Sequence, residues 1–221
     1  MPNFSSNCRR LAGALAVSAS TALAASAPAF ADTPIDADAP VTALTTAASN
    51  AECSAPTLLQ PFASWKDSRH YVLVPNGDFN DQTGGGWQLA GGARILDDAQ
   101  ADGTDGSVLD LPSGAVAVSP TMCVDLDYPT ARARIRKVVG DGDVAVSVMY
   151  DAGKTAQVPR SIGHAHGDKE GAWGLSGDLK IQPQLAGKKA GWRRVAFVLT
   201  AGGKSSDFRL DDFYVDPRMV R

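Results

Sequence analysis

Val144, Val146, Val148 and Tyr150 occupy one side of a period-two alternation whose other side is Asp143, Ala145, Ser147 and Asp151. Successive side chains point to opposite faces only in an extended chain, so this stretch reads as a strand with one buried face. The pattern returns in 192–200, where Val195, Phe197 and Leu199 share a side. Further short apolar runs fall at 70–74, 87–90, 94–96, 107–111, 115–118, 122–125, 132–138, 155–158, 173–175 and 208–215, separated by Gly, Pro, Asn and Asp. Neither a sustained helical repeat nor a fixed-period internal repeat runs through the chain beyond its leader. Many short strands separated by turn signals predict an all-β antiparallel sandwich or barrel.

Two motifs bracket this region. Asn76-Gly77-Asp78-Phe79-Asn80, followed by Gly86-Trp87, opens it, and Phe208 to Pro217 closes it. The closing strand has a defect in its alternation: Phe208 and Leu210 share one parity, whereas Phe213 and Val215 share the other. One inserted residue resets the alternation, so a β-bulge at Asp211-Asp212 is predicted.

The pairing of an Asn-Gly-Asp-Phe start and a nearby Gly-Trp with an Asp-Asp-Phe-Tyr-Val end resembles the galactose-binding-domain-like jelly rolls, which include many carbohydrate-binding modules. The segments 60–65, 71–79, 91–93, 111–114, 119–124 and 211–217 also resemble a group of secreted actinobacterial proteins, a likeness that carries no activity with it. The jelly-roll resemblance implies a single antiparallel β-sandwich whose first and last strands meet. It further implies a structural Ca²⁺ at that junction, with Asn80 and Asp211 or Asp212 as ligands and Asp78 as a neighbour. Asn80 stands where the pattern has Glu. A neutral amide weakens a site whose affinity follows the number of charged oxygens. The same residues also read as a plain turn and a plain bulge without metal.

The first thirty-one residues have a different character. Arg9 and Arg10 precede an Ala- and Ser-rich apolar run from Leu11 to Ala27, and Ala29-Phe30-Ala31 supplies a small-x-small cleavage site. This is the three-part pattern of a secretory signal peptide, too weakly apolar and too short for a membrane anchor. Residues 32–52 are Ala, Thr, Pro, Asp and Ser with almost no large apolar side chain, and they read as a disordered linker. The folded domain is then 53–221. In an exported chain, Cys53 and Cys123 are expected to form one disulfide, restricting the unfolded chain by on the order of 4 kcal/mol for a loop of about 70 residues. The formal charge of −3 becomes more negative once Arg9 and Arg10 leave. That argues against nucleic acid as a partner, because phosphate backbones are held by clustered Lys and Arg. The basic cluster Arg132 to Lys137 alternates like a solvated strand face.

Catalytic machinery is not legible. A Gly-x-Ser-x-Gly elbow is missing, and Asp67, Ser68 and His70 are too close in sequence to make an ordinary triad. Adjacent carboxylates in Asp97-Asp98 and Asp211-Asp212 point to opposite strand faces and do not flank one glycosidic bond. His164-Ala165-His166 places two imidazoles on one side of an extended chain, with Asp168 near enough to complete a metal site; the same residues also read as a Gly-flanked surface loop. Trp87 and Trp192 are expected in the core. Trp173 and Tyr150 are the aromatic candidates for stacking on a sugar, and Arg132 and Arg134 the candidates for polar contacts. The expected function is a secreted, non-catalytic module binding carbohydrate or a cell-surface glycan. The alternatives are a structural or adhesive extracellular protein that binds another protein, and a polysaccharide hydrolase. Secreted protein sequenced from its N-terminus is expected to begin at Asp32; a chain still beginning at Met1 would contradict the processing.

Overall fold

The alternation at 144–150 is realised as a strand in which Val144, Val146 and Val148 are at most 1% exposed while Ala145 and Ser147 are half-buried. In the computed structural model, residues 56–124, 130–150, 158–167, 169–181 and 193–216 are described, all within the compact unit Pro40–Arg221. The expected signal peptide, the linker, Cys53, Trp192 and Asp168 lie outside the described residues. Cys123 is half-buried opposite Arg194 of a neighbouring strand.

The described strands are β1 (Val72–Leu73), β2 (Gln88–Ala90), β3 (Arg94–Ala99), β4 (Asp105–Pro112), β5 (Val116–Val118), β6 (Met122–Val124), β7 (Thr130–Val139), β8 (Val144–Tyr150), β9 (Arg160–Ala165), β10 (Trp173–Leu175), β11 (Leu179–Lys180), β12 (Arg193–Ala201) and β13 (Asp207–Asp216). They form two antiparallel sheets. The first has seven strands in the order β10-β7-β13-β4-β3, with β1 on β13 and β11 on β7. The second has six, in the order β2-β5-β12-β8-β9, with β6 on β12. Chain order passes from one sheet to the other at β1–β2, β2–β3, β4–β5, β6–β7, β7–β8, β9–β10, β11–β12 and β12–β13, the sheet-crossing habit of a jelly roll. This is the predicted antiparallel β-sandwich.

The two bracketing motifs meet as expected. Val72 and Leu73 of β1 pair with Val215 and Tyr214 of β13. The register of β13 against β7 shifts between Asp211 and Tyr214, and Asp212 has a left-handed backbone with φ 52°. That is the predicted bulge. Because of it, Phe208, Leu210, Phe213 and Val215 are all fully buried in one core cluster despite their opposite parities. Phe213 stacks edge-on against Phe197 of the opposite sheet (5.0 Å between centroids) and lies 6.4 Å from Trp87, which in turn packs on Phe79 at 5.1 Å. Trp87, 6% exposed, is a core residue and donates its indole N–H to the Pro75 carbonyl at 3.0 Å.

Two strands, β9 and β11, were not foreseen. In β9 the buried residues are Ile162 and Ala165, three apart, and the register against β8 shifts between Val146 and Ser147. Gly163, at φ +142°, stands within that irregularity. A period-two search misses such a strand because its parity is broken midway.

Gly77 is set by close approach. A Cβ there would lie 2.6 Å from the Phe213 carbonyl oxygen and 2.9 Å from that of Val74, and the same backbone groups bond: Phe213 N–H to Gly77 O at 2.8 Å and Val74 N–H to Phe213 O at 3.0 Å. Gly77→Ala must push the opening turn off the closing strand, and it is expected to cost about 1–3 kcal/mol, the usual range for overpacking. Urea denaturation of variant and wild type checks this; equal midpoints would contradict it.

Candidate functional site

The outer face of the seven-stranded sheet gathers most of the side chains singled out from the sequence. Ala131, Ala133 and Ile135 of β7 enter the core, so Arg132, Arg134 and Arg136 must point outward. The expectation of a solvated basic face is corrected at all three positions, Arg136 being covered by Asp98 and Trp173 and the other two by a loop. This strap, formed by 59–71 and including a 3₁₀ turn at Ala63–Trp65, lies over Arg132 and Arg134, and Arg134 is only 8% exposed.

Arg132 donates through Nη1 to Asp67 at 2.5 Å and through Nε to the Ser176 carbonyl at 3.1 Å, and it pairs with Asp178 at 3.1 Å. Arg69 in the strap reaches Asp67 (2.9 Å), Asp178 (3.0 Å) and Asp216 (3.3 Å). Tyr71 donates its hydroxyl to Asp67 at 2.5 Å. Donors from Arg69, Tyr71 and Arg132 hold the Asp67 carboxyl well below the usual range even though burial acts the other way. Under the strap Phe62, Tyr71 and Tyr214 form a small apolar cluster, with Phe62 edge-on to both rings at 5.0 and 5.5 Å. Asp67 and Arg69 were missed as structural residues. Their two-residue spacing is a turn signal, Arg69 N–H bonding Asp67 Oδ1 at 3.0 Å, but nothing local points to Asp178 or Asp216.

The other half of the face carries a row of directly paired residues across five strands: Arg94 (β3), Asp110 (β4), Arg209 (β13), Arg136 (β7) and Trp173 (β10). Arg94 meets Asp110 at 2.7 Å, and Arg209 bonds Asp110 and, at 2.6 Å, Asp207. Asp98 pairs with Arg136 and, at 3.4 Å, with Arg209. The Arg136 guanidinium lies 4.9 Å from the Trp173 ring centroid, a cation–π contact, and Trp173 donates its indole N–H to the Ala99 carbonyl at 3.2 Å. Trp173 is half-buried at this edge. Beside it, Asp97, Asp98, Ala99, Asp105 and Gly106 line a cleft of about 460 Å³. Asp97 accepts from Gln82 at 2.6 Å and from Ser107 at 3.2 Å.

Tyr150 is elsewhere. It is 7% exposed within the main core cluster, which corrects the expectation of an accessible ring; the partner strand β12 sets it opposite Val195. The structure therefore brings Trp173, Arg132 and Arg134 to one face and leaves Tyr150 out. His164 and His166 form a separate feature. Their rings stack with centroids 6.2 Å apart, and their Nδ1 atoms face the two oxygens of Asp143 at 3.0 and 3.5 Å. The carboxylate comes from the β7–β8 turn, brought there by the antiparallel β8–β9 pairing.

At the bulge, the residues named for calcium do not make a fitting donor set. Asp212 Oδ2 is 2.5 Å from Arg134 Nη1. The Asn80 amide oxygen accepts from Gln100 at 2.9 Å, its amide nitrogen donates to Asp78 at 3.3 Å, and Asp211 Oδ2 accepts from the Ala101 N–H at 3.2 Å. Only Asp211 Oδ1 is buried without a hydrogen-bond partner. Among the described residues, no group of three or more His, Cys, Asp or Glu side chains is placed to hold a metal ion. A hard cation wanting six to eight oxygens meets a guanidinium already paired with Asp212 and an Asn80 oxygen already accepting from Gln100.

No family model and no curated protein matches the sequence. Among solved structures the chain is similar to the CBM22-1 xylan-binding domain of Paenibacillus barcinonensis Xyn10C, at 13% identity and TM-score 0.44, covering 65% of this chain and 93% of that one. It is also similar to TmCBM61 in complex with β-1,4-galactotriose, at 13% identity and TM-score 0.36, covering 63% and 94%. A third similarity is to the CBM22-1-GH10 modules of Clostridium thermocellum xylanase 10B complexed with xylohexaose, at 18% identity and TM-score 0.44, covering 61% and 26%. At this distance the similarities add nothing to the two sheets described above. No helix among the described residues is long and apolar enough to cross a membrane.

Burial and the neighbouring Asp212 charge push the Asp211 carboxyl up to about 7. A carboxyl raised above its unfolded value near 4 binds its proton more tightly when folded. Its contribution is therefore full below about pH 4 and lost as pH rises to about 7. Asp110, raised to about 6 chiefly by burial, acts with the same sign; Asp67, held low, acts with the opposite sign, its contribution lost only as acid protonates it below about pH 4. Asp211→Asn is expected to flatten the decline in Tm between pH 4 and 7. A decline as steep as wild type in a pH series of melts would contradict this.

Proposed function

We propose that the protein is a secreted, non-catalytic binding module for carbohydrate or a cell-surface glycan, and that the ligand lies at the uncovered half of the seven-stranded sheet's outer face. The observation that carries this reading is the acidic cleft of about 460 Å³ lying against the residue that Trp173 caps. An indole offers an apolar face to the C–H side of a sugar ring, and carboxylates with an adjacent amide and hydroxyl accept and share hydroxyl protons. Asp98 is the carboxylate that β3 turns to this face, while Asp97 forms such a polar set with Gln82 and Ser107 on the opposite face of the β3–β4 hairpin. Rigidity also supports the site, because Arg136 and Asp98 hold Trp173 and the hairpin in one arrangement. Secretion is proposed from the leader pattern and is consistent with a Cys53–Cys123 cross-link, likewise proposed.

In this reading Arg132 and Arg134 hold the strap and do not contact the ligand. A protein-binding, adhesive role is favoured by one observation only: Asp105 is an exposed carboxylate at the cleft, suited to a Lys or Arg of a partner chain. A polysaccharide hydrolase is disfavoured because Asp98 is committed to two arginines and Asp97 to Gln82 and Ser107, leaving no acid–base pair across the cleft.

Glycan-array binding followed by titration of the best polysaccharide tests the assignment. Trp173→Ala is expected to weaken binding about tenfold, one stacked ring's worth, with the fold retained and Tm lowered by the loss of its contacts to Ala99 and Arg136. Absence of any glycan signal, together with pull-down of a surface protein, would overturn it in favour of the adhesive reading.

A further inference from the structure

We infer that the seam between the opening turn and the closing strand is neutralised by an internal cation, the Arg134 guanidinium, and that the protein needs no divalent metal there. Arg134 stands directly opposite Asp211 in the β7–β13 register. Its Nη1 holds Asp212 at 2.5 Å, and both side chains are largely buried, at 9% and 16% exposure. Its Nη2 donates to the Pro61 carbonyl at 2.7 Å, and its guanidinium lies 5.7 Å from the Phe62 ring centroid. One side chain thus joins three parts distant in sequence: the strap, β7 and the bulge.

The guanidinium does at this position what a bound ion would do. The bulge turns Asp212 away from the core, next to Asp211, and burial makes both carboxylates costly unless a positive charge is supplied. A planar fork can hold a carboxylate with one nitrogen and a backbone carbonyl with another, which a single ammonium point charge cannot reproduce. Neighbouring oxygens are meanwhile spent within the chain, Asn80 on Gln100 and Asp211 Oδ2 on Ala101. Protein donors thus meet Asp212, Asn80 and Asp211 Oδ2, leaving Asp211 Oδ1 as the unpaired oxygen of this carboxyl.

Thermal melts of the full secreted chain with EDTA or with millimolar Ca²⁺, and calorimetric titration with Ca²⁺ alone, test the first half. Wild-type Tm is expected to stay within about 1 °C in both, with no binding heat; a fall in Tm with EDTA or a rise with Ca²⁺ would overturn the inference. The second half is tested by a cycle of Arg134→Met, Asp212→Asn and the double variant. Arg134→Met is expected to lower Tm by about 10 °C, as when one partner of a buried pair is removed. The double variant is expected to recover at least half of that loss, since the stranded charge is gone. A double variant that loses the sum of the two single effects would overturn it. Should Arg134→Met yield no folded protein, Arg134→Lys decides. Lysine keeps the charge and loses the second bond to Pro61, so a folded protein with Tm lowered by less than about 10 °C is expected; no folded protein, or a loss of about 10 °C or more, would overturn the charge role.

Discussion

The bulge at Asp211-Asp212 is the constraint on which the remaining architecture depends. Strand β13 is the axis of the larger sheet, paired along its length with β7 and on its other side first with β4 and then with β1. A strand this long with unbroken alternation would turn either Phe208 and Leu210 or Phe213 and Val215 to the outside, exposing two large apolar side chains at roughly 1.5–3 kcal/mol each. The extra residue lets both halves face one core, and its left-handed Asp212 directs a carboxylate to the outer face. That carboxylate fixes Arg134, and Arg134 fixes the strap through Pro61.

The outer face of the sheet is divided by what lies over it. Toward the β1 end the strap, its aromatic cluster and the Asp67–Arg69–Arg132–Asp178–Asp216 network close the surface. Toward the β3 end the row from Arg94 to Trp173 stays at the surface beside the acidic cleft. Ion pairs do different things in the two halves. Under the strap they join the buried Asp67 and Asp216 to the more exposed Arg69 and Asp178 and specify how a loop docks, whereas in the row the buried Asp110 and the largely buried Arg136 and Arg209 hold the Trp173 edge in place, with little net contribution to stability from the most exposed member, Arg94.

Much of the strand plan could be read directly, because residues such as Val144, Val146 and Val148 report a buried face through period alone. The bulge in β13 was readable for the same reason, since four large apolar residues make a parity switch visible. Strand β9 has the same kind of irregularity but only Ile162 and Ala165 to mark it, so it reads as a loop around His164. The candidate site was legible only in part. Trp173 stood out as an aromatic among glycines, but Tyr150 continues the buried face of Val144, Val146 and Val148, so its place in the core follows from the alternation and not from its being an aromatic near a strand end.

The amino-acid pattern by itself determined an antiparallel β fold of sandwich or barrel type, its opening and closing segments and the place where the last strand resets its face. These are properties of local alternation and turn chemistry, which act over a few residues. Only the tertiary structure decided which charges are spent. Arg132 and Arg134 look like a solvated stripe until Asp67, Asp178 and Asp212 are brought to them across the fold. Arg136 looks the same until Asp98 and Trp173 meet it. Ion pairing depends on distances of a few ångströms between residues far apart in the chain, and those distances exist only after the sheets have formed.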